Sequence, residues 1–251
     1  MAKQSKTSWE SSASWYDGAV GQKGHYYHEH VILPKLLKLM DLKKGDHLLD
    51  LACGQGILSR AIPKQVKYTG IDIAKSLIEA AKKRSKNPLH SFFTQDVTKA
   101  LPVSNNSFTH ATIVLALQNI ENPLSVLKNV SKHLKAGGTL YLVLNHPCFR
   151  IPRLSHWGID ETKKLQYRRM DSYLSTQKIP IQMHPGKKQE QTWSFHHSLS
   201  EFTKMLFDSG FAVSLIEEWV SDKKSTGGKA RMENRARKEF PLFMTLICKK
   251  L

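Results

Sequence analysis

The stretch that decides the fold is Leu48-Leu49-Asp50-Leu51-Ala52-Cys53-Gly54-Gln55-Gly56. A short apolar run carries an acid near its end, and glycines follow before a helical pattern resumes. A run that is apolar at successive positions reads as a strand buried on both faces. Glycines just beyond it let the backbone turn sharply and approach a ligand closely. Such a turn is shared by many nucleotide binders and is weak evidence alone. The dinucleotide fingerprint needs glycines at its first, third and sixth positions. Counted from Gly54, the sixth position is Ser59, so that pattern fails.

Outward from this turn, strand and helix patterns alternate. His47 to Ala52, Tyr68 to Ile73, His90 to Thr94, Thr109 to Leu115 and Thr139 to Leu144 read as strands. Ile57 to Ile62, Ala74 to Arg84 and Pro123 to Leu134 read as helices between them. In the last of these, Leu124, Leu127, Val130 and Leu134 recur at helical spacing, and Gly137-Gly138 read as its stop. This alternation predicts an α/β fold, doubly wound around a mostly parallel sheet. The rhythm breaks after the fifth strand: residues 146–197, rich in Pro, His, Arg and aromatics, show no sustained period and read as an insertion or lid. Order returns with Ser198 capping a helix that runs to Asp208. Strands from Phe211 to about Trp219 and from Pro241 to Lys249 complete a seven-stranded set. The charged Lys223 to Lys238 link between these two reads as a mobile connection.

Composition sets bounds on class. In 251 residues there is no apolar run of the roughly eighteen residues that would read as a membrane span. Met1 to Trp15 is polar and lacks the pattern of a secretory signal. Cys53, Cys148 and Cys248 are too few and too dispersed for a disulfide framework or a zinc site. No metal is expected, and the chain reads as cytoplasmic. The net charge of +17 is the compositional oddity. It admits RNA as a partner, because clustered cations release counterions from a polyanion. Basic residues spread over both halves of the chain equally describe a solvated surface.

Specificity comes from spacing. Asp72 ends the second strand about twenty residues beyond the turn, where an acid can accept hydrogen bonds from both ribose hydroxyls of an adenosine. Asp96 follows the third strand, within reach of an adenine amino group. Each of Asp50, Asp72 and Asp96 taken singly also reads as a strand-end or helix cap. Together they describe an adenosine cradle at the carboxyl ends of three strands.

The stretches LLDLACGQG, GIDIAKSLIEAAKK, FTQDVTKALPVSNNSFTHATIVLALQNIENP and LKNVSKHLKAGGTLYLVL resemble the class I S-adenosylmethionine-dependent methyltransferases. The resemblance is closest to the broad small-molecule group that includes quinone C-methyltransferases, and it covers roughly residues 45–145. It implies S-adenosyl-L-methionine as cofactor. Asp50, Ala52, Gly54 and Gly56 would hold its methionine end, Asp72 and Ile73 the ribose, and Asp96 with Val97 the adenine. Leu115, Ala116 and Gln118 would lie beneath the sulfonium. Ala52 departs from the family, which often has glycine there. The implied organisation is an N-terminal helical cap segment, 1–44, followed by a Rossmann-like domain, 45–251, with the insertion 146–197.

Acceptor-side candidates lie in three places: Tyr16, His25, Tyr26, Tyr27 and His28 before the core; Asn145, His146 and Arg150 after strand five; and Arg153, His156, Trp157, Trp193, His196 and His197 in the insertion. A histidine base with aromatic walls would suit a flat or anionic acceptor. His146 is the favoured base because of its strand-end position, and Tyr16, His25, Tyr27, Arg150, His156, Trp157 and His196 are the favoured substrate contacts. Many of these residues read equally well as packing or surface groups. Cys148 reads as buried and inert, since the Pro-Cys pair of cysteine-nucleophile RNA methyltransferases is missing after strand four. The tetrapeptide typical of amide or exocyclic-amine methylation is missing after Leu115. The expected function is methylation of a small molecule, with an RNA-modifying methyltransferase and a catalytically silent cofactor-binding protein as alternatives. Oligomeric state is not legible.

Overall fold

A computed structural model describes residues 9–10, 12–21, 24–182 and 191–251. The start of the expected cap segment and residues 183–190 of the expected insertion lie outside the described residues. Along the chain come α1 (Ala13–Val20), a π-helical turn (His28–Ile32) continuing into α2 (Leu33–Met40), β1 (His47–Leu51), β2 (Lys67–Asp72), α3 (Lys75–Arg84), β3 (His90–Thr94), β4 (Phe108–Val114), α4 (Pro123–His133) and β5 (Leu134–Asn145). Then follow β6 (Ser155–Asp160), β7 (Leu165–Met170), β8 (Gln177–Gln182), β9 (Gln191–His196), α5 (Leu199–Asp208), β10 (Phe211–Trp219), α6 (Ala230–Glu239) and β11 (Phe243–Lys250).

The main sheet has seven strands in the order β10-β11-β5-β4-β1-β2-β3. Strands β1 to β5 pair in parallel, while β11 runs antiparallel to both β5 and β10. Strand order reverses beside β1: the chain first winds outward through β2 and β3, then returns to β4 on the other flank. The carboxyl ends of β1 and β4 therefore diverge into a crevice, the usual ligand position in such sheets.

Both faces are covered, which explains the continuous apolar runs. Successive residues of β1 point to opposite sides. Leu49 and Leu51 pack with Leu127 and Val130 of α4 and Phe202 and Leu206 of α5. Leu48 packs with Leu36 of α2, Ile78 of α3 and Trp219. Helix starts follow local chemistry. The Asn122 side chain accepts from Ser125 N at 3.1 Å ahead of Pro123 in α4, and Ser198 and Glu201 form a reciprocal capping box on α5.

Four sequence expectations are corrected. Residues 57–62 form only a 3-10 turn, Leu58–Arg60, too short a segment to propagate as an α-helix. Gly137-Gly138 do not stop α4, which ends at His133; β5 starts at once, and Gly137 takes φ +71° where the β4–β5 register shifts. The insertion is not irregular but folds as two antiparallel hairpins, β6–β7 and β8–β9. Its period is hidden because β6 and β7 lie half exposed, with Trp157, Ile159, Tyr167 and Met170 all at the surface. The 223–238 link contains α6, whose narrow apolar stripe, Met232 and Ala236, is one turn apart amid charged helix formers. Among the described residues no helix is long and apolar enough to cross a membrane.

Candidate active site

The β1 turn is built on left-handed backbone. Ala52, Gly54 and Gly56 have φ of 54°, 53° and 71°, and Leu115 at the end of β4 has φ of 53°. For the two non-glycine residues this conformation costs roughly 1–2 kcal/mol each. Both sit on the same cavity wall, the kind of place where strain is kept for function.

Asp72 ties the turn to the start of α3. Its Oδ2 accepts from Gly54 N at 2.8 Å and its Oδ1 from Ala74 N at 2.9 Å. Burial raises its pKa, and these backbone donors oppose the rise. Asp50 lies deeper. Its carboxylate accepts from Tyr68 Oη at 2.6 Å and from Thr112 Oγ1 at 2.8 Å, and burial pushes its pKa up to about 6. Asp96 folds back on its own loop, with Oδ1 accepting from Thr98 N at 2.9 Å and Thr98 Oγ1 at 2.7 Å.

The helical cap closes one side. Arg84 of α3 grips both carboxylate oxygens of Asp17 in α1, with Nη2 at 2.7 Å from Oδ2. That bidentate pair lays α1 against the turn. Tyr16 follows: a Cβ added at Gly54 would stand 3.5 Å from its ring. Burial, with Asp72 close by, pushes the Tyr16 phenol up to about 12.

These parts enclose a cavity of about 580 Å³, inside the roughly 300–1,000 Å³ of small-molecule sites. Of the expected cofactor contacts, Ala52, Gly54, Asp72 and Ile73 line it, as do Asp96, Val97, Leu115 and Ala116. Of the expected acceptor contacts, Tyr16, His25, Tyr27 and Arg150 also line it, with His28 and Asn145. The chain thus brings together residues from the cap and from the ends of five strands.

Other expected contacts stand off this wall. Asp50 is held by Tyr68 and Thr112 on the neighbouring strands, and Gly56 lies where a Cβ would stand 3.0 Å from the Phe92 ring. Gln118 donates Nε2 to the Asn145 carbonyl at 3.1 Å, while its Oε1 is buried without a partner. His146 is 2% exposed. Its Nδ1 accepts from Cys148 N and Phe149 N, and its Nε2 meets Glu218 Oε1 at 2.7 Å. Burial lowers its pKa, with Glu218 opposing. His156 lies 3.9 Å from Asp171. Trp157 packs edge-on against Phe240, and His196 bonds the Tyr173 carbonyl at 2.7 Å. Cys148 is half-buried, not buried as expected, because it lies in the turn at the base of the insertion.

Residues missed by sequence reasoning also line the cavity: Asn119 to Asn122 beyond β4, Ile181 of β8 and Phe243 of β11. The first group was accessible from the rule that loops at strand carboxyl ends carry ligands. Ile181 and Phe243 carried no such signal.

The groups present suit a sulfonium nucleoside. A buried acid ends β2, a second acid follows β3, and Ile73, Leu77, Val97 and Leu115 supply apolar walls between. Residues 49–142 match the family described as methyltransferase domain. The chain carries a class I methyltransferase domain. Over 117 residues it is 31% identical to the demethylmenaquinone methyltransferase of Staphylococcus aureus, a match covering 45% of this chain and 48% of that protein. The chain thus spans about half the length of the curated relatives it matches. Two solved structures share the fold. An S-adenosylmethionine dependent methyltransferase from Mesorhizobium loti matches at TM-score 0.67 and 22% identity, over 86% of this chain and 96% of that one. One from Clostridium acetobutylicum matches at TM-score 0.61 and 19% identity, over 96% and 98%. The matched stretch runs from β1 to β5, and the two hairpins follow it in the chain.

Proposed function

We propose that this chain is an S-adenosyl-L-methionine-dependent methyltransferase acting on a small molecule. The observation that carries the reading is the convergence of Asp72, Asp96 and the Gly54 turn on one cavity that also receives residues from the cap and from β5. When bound, S-adenosylmethionine supplies a methyl group already activated on a cationic sulfur.

The chain's own residues do the rest. Asp72 takes the ribose hydroxyls, and its own orientation is held by Gly54 N and Ala74 N. Asp96 with Val97 and Ile73 receives the adenine. Ala52, Gly54 and the buried Asp50, with Gly56 behind, shape the pocket for the amino-acid end. Leu115 and Ala116 form the floor at the reacting centre, and Gln118 braces β5 through Asn145. Tyr16 and α1 exclude water from that end of the cavity, which strengthens every polar contact inside. Positioning two reactants within an enclosed site accounts for much of the acceleration such a reaction needs.

On the acceptor side, His146 acts as a positioning residue, because its ring nitrogens hold the turn that leads to Arg150. His28 supplies the free imidazole of the wall: its Nδ1 is buried without a partner, and burial lowers its pKa to about 4, so it is neutral near neutral pH. Residues 1–44 serve as the cap, 45–251 as the catalytic domain and 146–197 as its insertion. The protein works in the cytoplasm. Similarity to demethylmenaquinone methyltransferases supports a small-molecule acceptor. RNA as a partner is supported by the net charge of +17.

Calorimetric titration with S-adenosylhomocysteine tests the reading. One-site binding that is lost in a folded Asp72 variant supports it, and no binding by the native protein overturns it. Salt-dependent binding of tRNA, followed by transfer of labelled methyl to it, would replace the small-molecule acceptor with RNA.

A further inference from the structure

The acceptor end of the cavity holds an uncompensated cation. Arg150 lines the wall, and its guanidinium stacks over the Phe243 ring at 5.1 Å. Its Nη1 is buried without a hydrogen-bond partner. Its backbone N–H donates to the His146 carbonyl at 2.8 Å, so the turn at the base of the insertion fixes where the side chain starts. A second cation, Arg168, acts on it, and no carboxylate of the described residues pairs with it. Arg168 spends its own donors on the Phe149 carbonyl and on Ser155.

Arginines are rarely buried without a partner, because losing hydration costs far more than an isolated ring contact returns. A guanidinium presents its donors in a planar fork whose natural complement is a carboxylate. The surroundings add shape. Tyr27 and Phe243 pack edge to face at 5.6 Å between ring centres, giving an aromatic wall beside the cation. The neutral His28 ring offers a second unpaired polar atom on the same wall.

We propose that the methyl acceptor is an aromatic or conjugated acid whose carboxylate pairs with Arg150, its ring lying against Tyr27 and Phe243. The proposal rests on the methyl-transfer reading for the word acceptor, but the carboxylate site stands on Arg150 alone. Under it, Arg150 selects the substrate and orients the reacting atom, and takes no part in bond making.

Benzoate and benzamide, equal in shape and differing in charge, are the probes. Each is titrated calorimetrically into the protein, both free and saturated with S-adenosylhomocysteine. Benzoate is expected to bind at least about tenfold tighter than benzamide, the scale of one charged hydrogen bond. In Arg150→Met that preference vanishes while S-adenosylhomocysteine affinity is kept. The unliganded variant is expected to melt no lower than the native protein, because it removes a half-buried guanidinium whose Nη1 is buried without a partner. Arg150→Lys, which keeps charge without the fork, retains only part of the preference. Equal affinity for the two probes, no saturable benzoate binding, preference surviving in Arg150→Met, or a marked loss of stability in that variant each overturns the carboxylate site. Failure of S-adenosylhomocysteine to bind, with benzoate preference intact in the free protein, overturns methyl transfer and leaves the acid site standing.

Discussion

His146 and Glu218 meet at 2.7 Å between Nε2 and Oε1, although 72 residues separate them in sequence. The imidazole is almost fully buried, whereas the Glu218 side chain is 56% exposed on β10. Two backbone N–H groups point at Nδ1, so that nitrogen accepts and Nε2 carries the proton toward Glu218. The ring is thereby locked as a clasp. It closes the turn after β5, and that turn delivers Arg150 to the cavity.

His146→Ala should therefore act on stability and on the acceptor side. Losing the acceptor for Cys148 N and Phe149 N should cost about 1–3 kcal/mol. Thermal melting checks this. Benzoate affinity should drop while S-adenosylhomocysteine affinity is unchanged. A variant with native stability and native benzoate affinity would contradict the clasp.

Asp72→Asn keeps one accepting oxygen and puts an amide nitrogen where the second stood. One of Gly54 N and Ala74 N then loses its partner, and the ribose loses an anionic acceptor. S-adenosylhomocysteine affinity should weaken by about 1–3 kcal/mol, roughly five- to 150-fold in Kd. Unchanged affinity in a folded protein would remove Asp72 from the site.

Ala52→Gly probes backbone strain at the β1 turn. Relief of a left-handed Ala is worth roughly 1–2 kcal/mol, and the greater freedom of glycine in the unfolded chain takes back about 0.5–1 kcal/mol. The urea midpoint should rise by the equivalent of about 0.5–1 kcal/mol with the same slope. A lower midpoint would mean that the Ala52 methyl makes contacts worth more than the strain.

His28 predicts a pH effect of defined sign. In the fold its pKa is lowered to about 4 by burial, against 6.5 ordinarily. Between these values the unfolded chain binds more protons, so stability is lost as pH falls from 6.5 toward 4. Replacing His28 with Leu should flatten this part of the profile, by on the order of 3 kcal/mol across the window. Asp50 acts oppositely. Its folded pKa is about 6 against 3.8, so its contribution is full below 3.8 and is lost as pH rises through 6. Stability curves at several pH values for both proteins decide the matter; parallel profiles would show that His28 stays solvated.

The frame of this protein was legible because local signals sufficed for it. Apolar runs bounded by glycines gave the strands of the main sheet, and those strand ends set where Asp72 and Asp96 emerge. Charged helix formers concealed α6, and half-exposed hairpins concealed the insertion, since neither buries enough of one face to leave a period.

What the chain alone determined is the doubly wound, mostly parallel sheet and the acids at its strand ends, all consequences of pattern over a few neighbouring residues. What tertiary structure decided is the side-chain direction at the acceptor end. His146 turns away from the cavity because Glu218 and two backbone donors hold it, and Arg150 faces inward on Phe243. Those choices depend on partners brought from β10 and β11, and contacts between distant segments leave no imprint on local spacing.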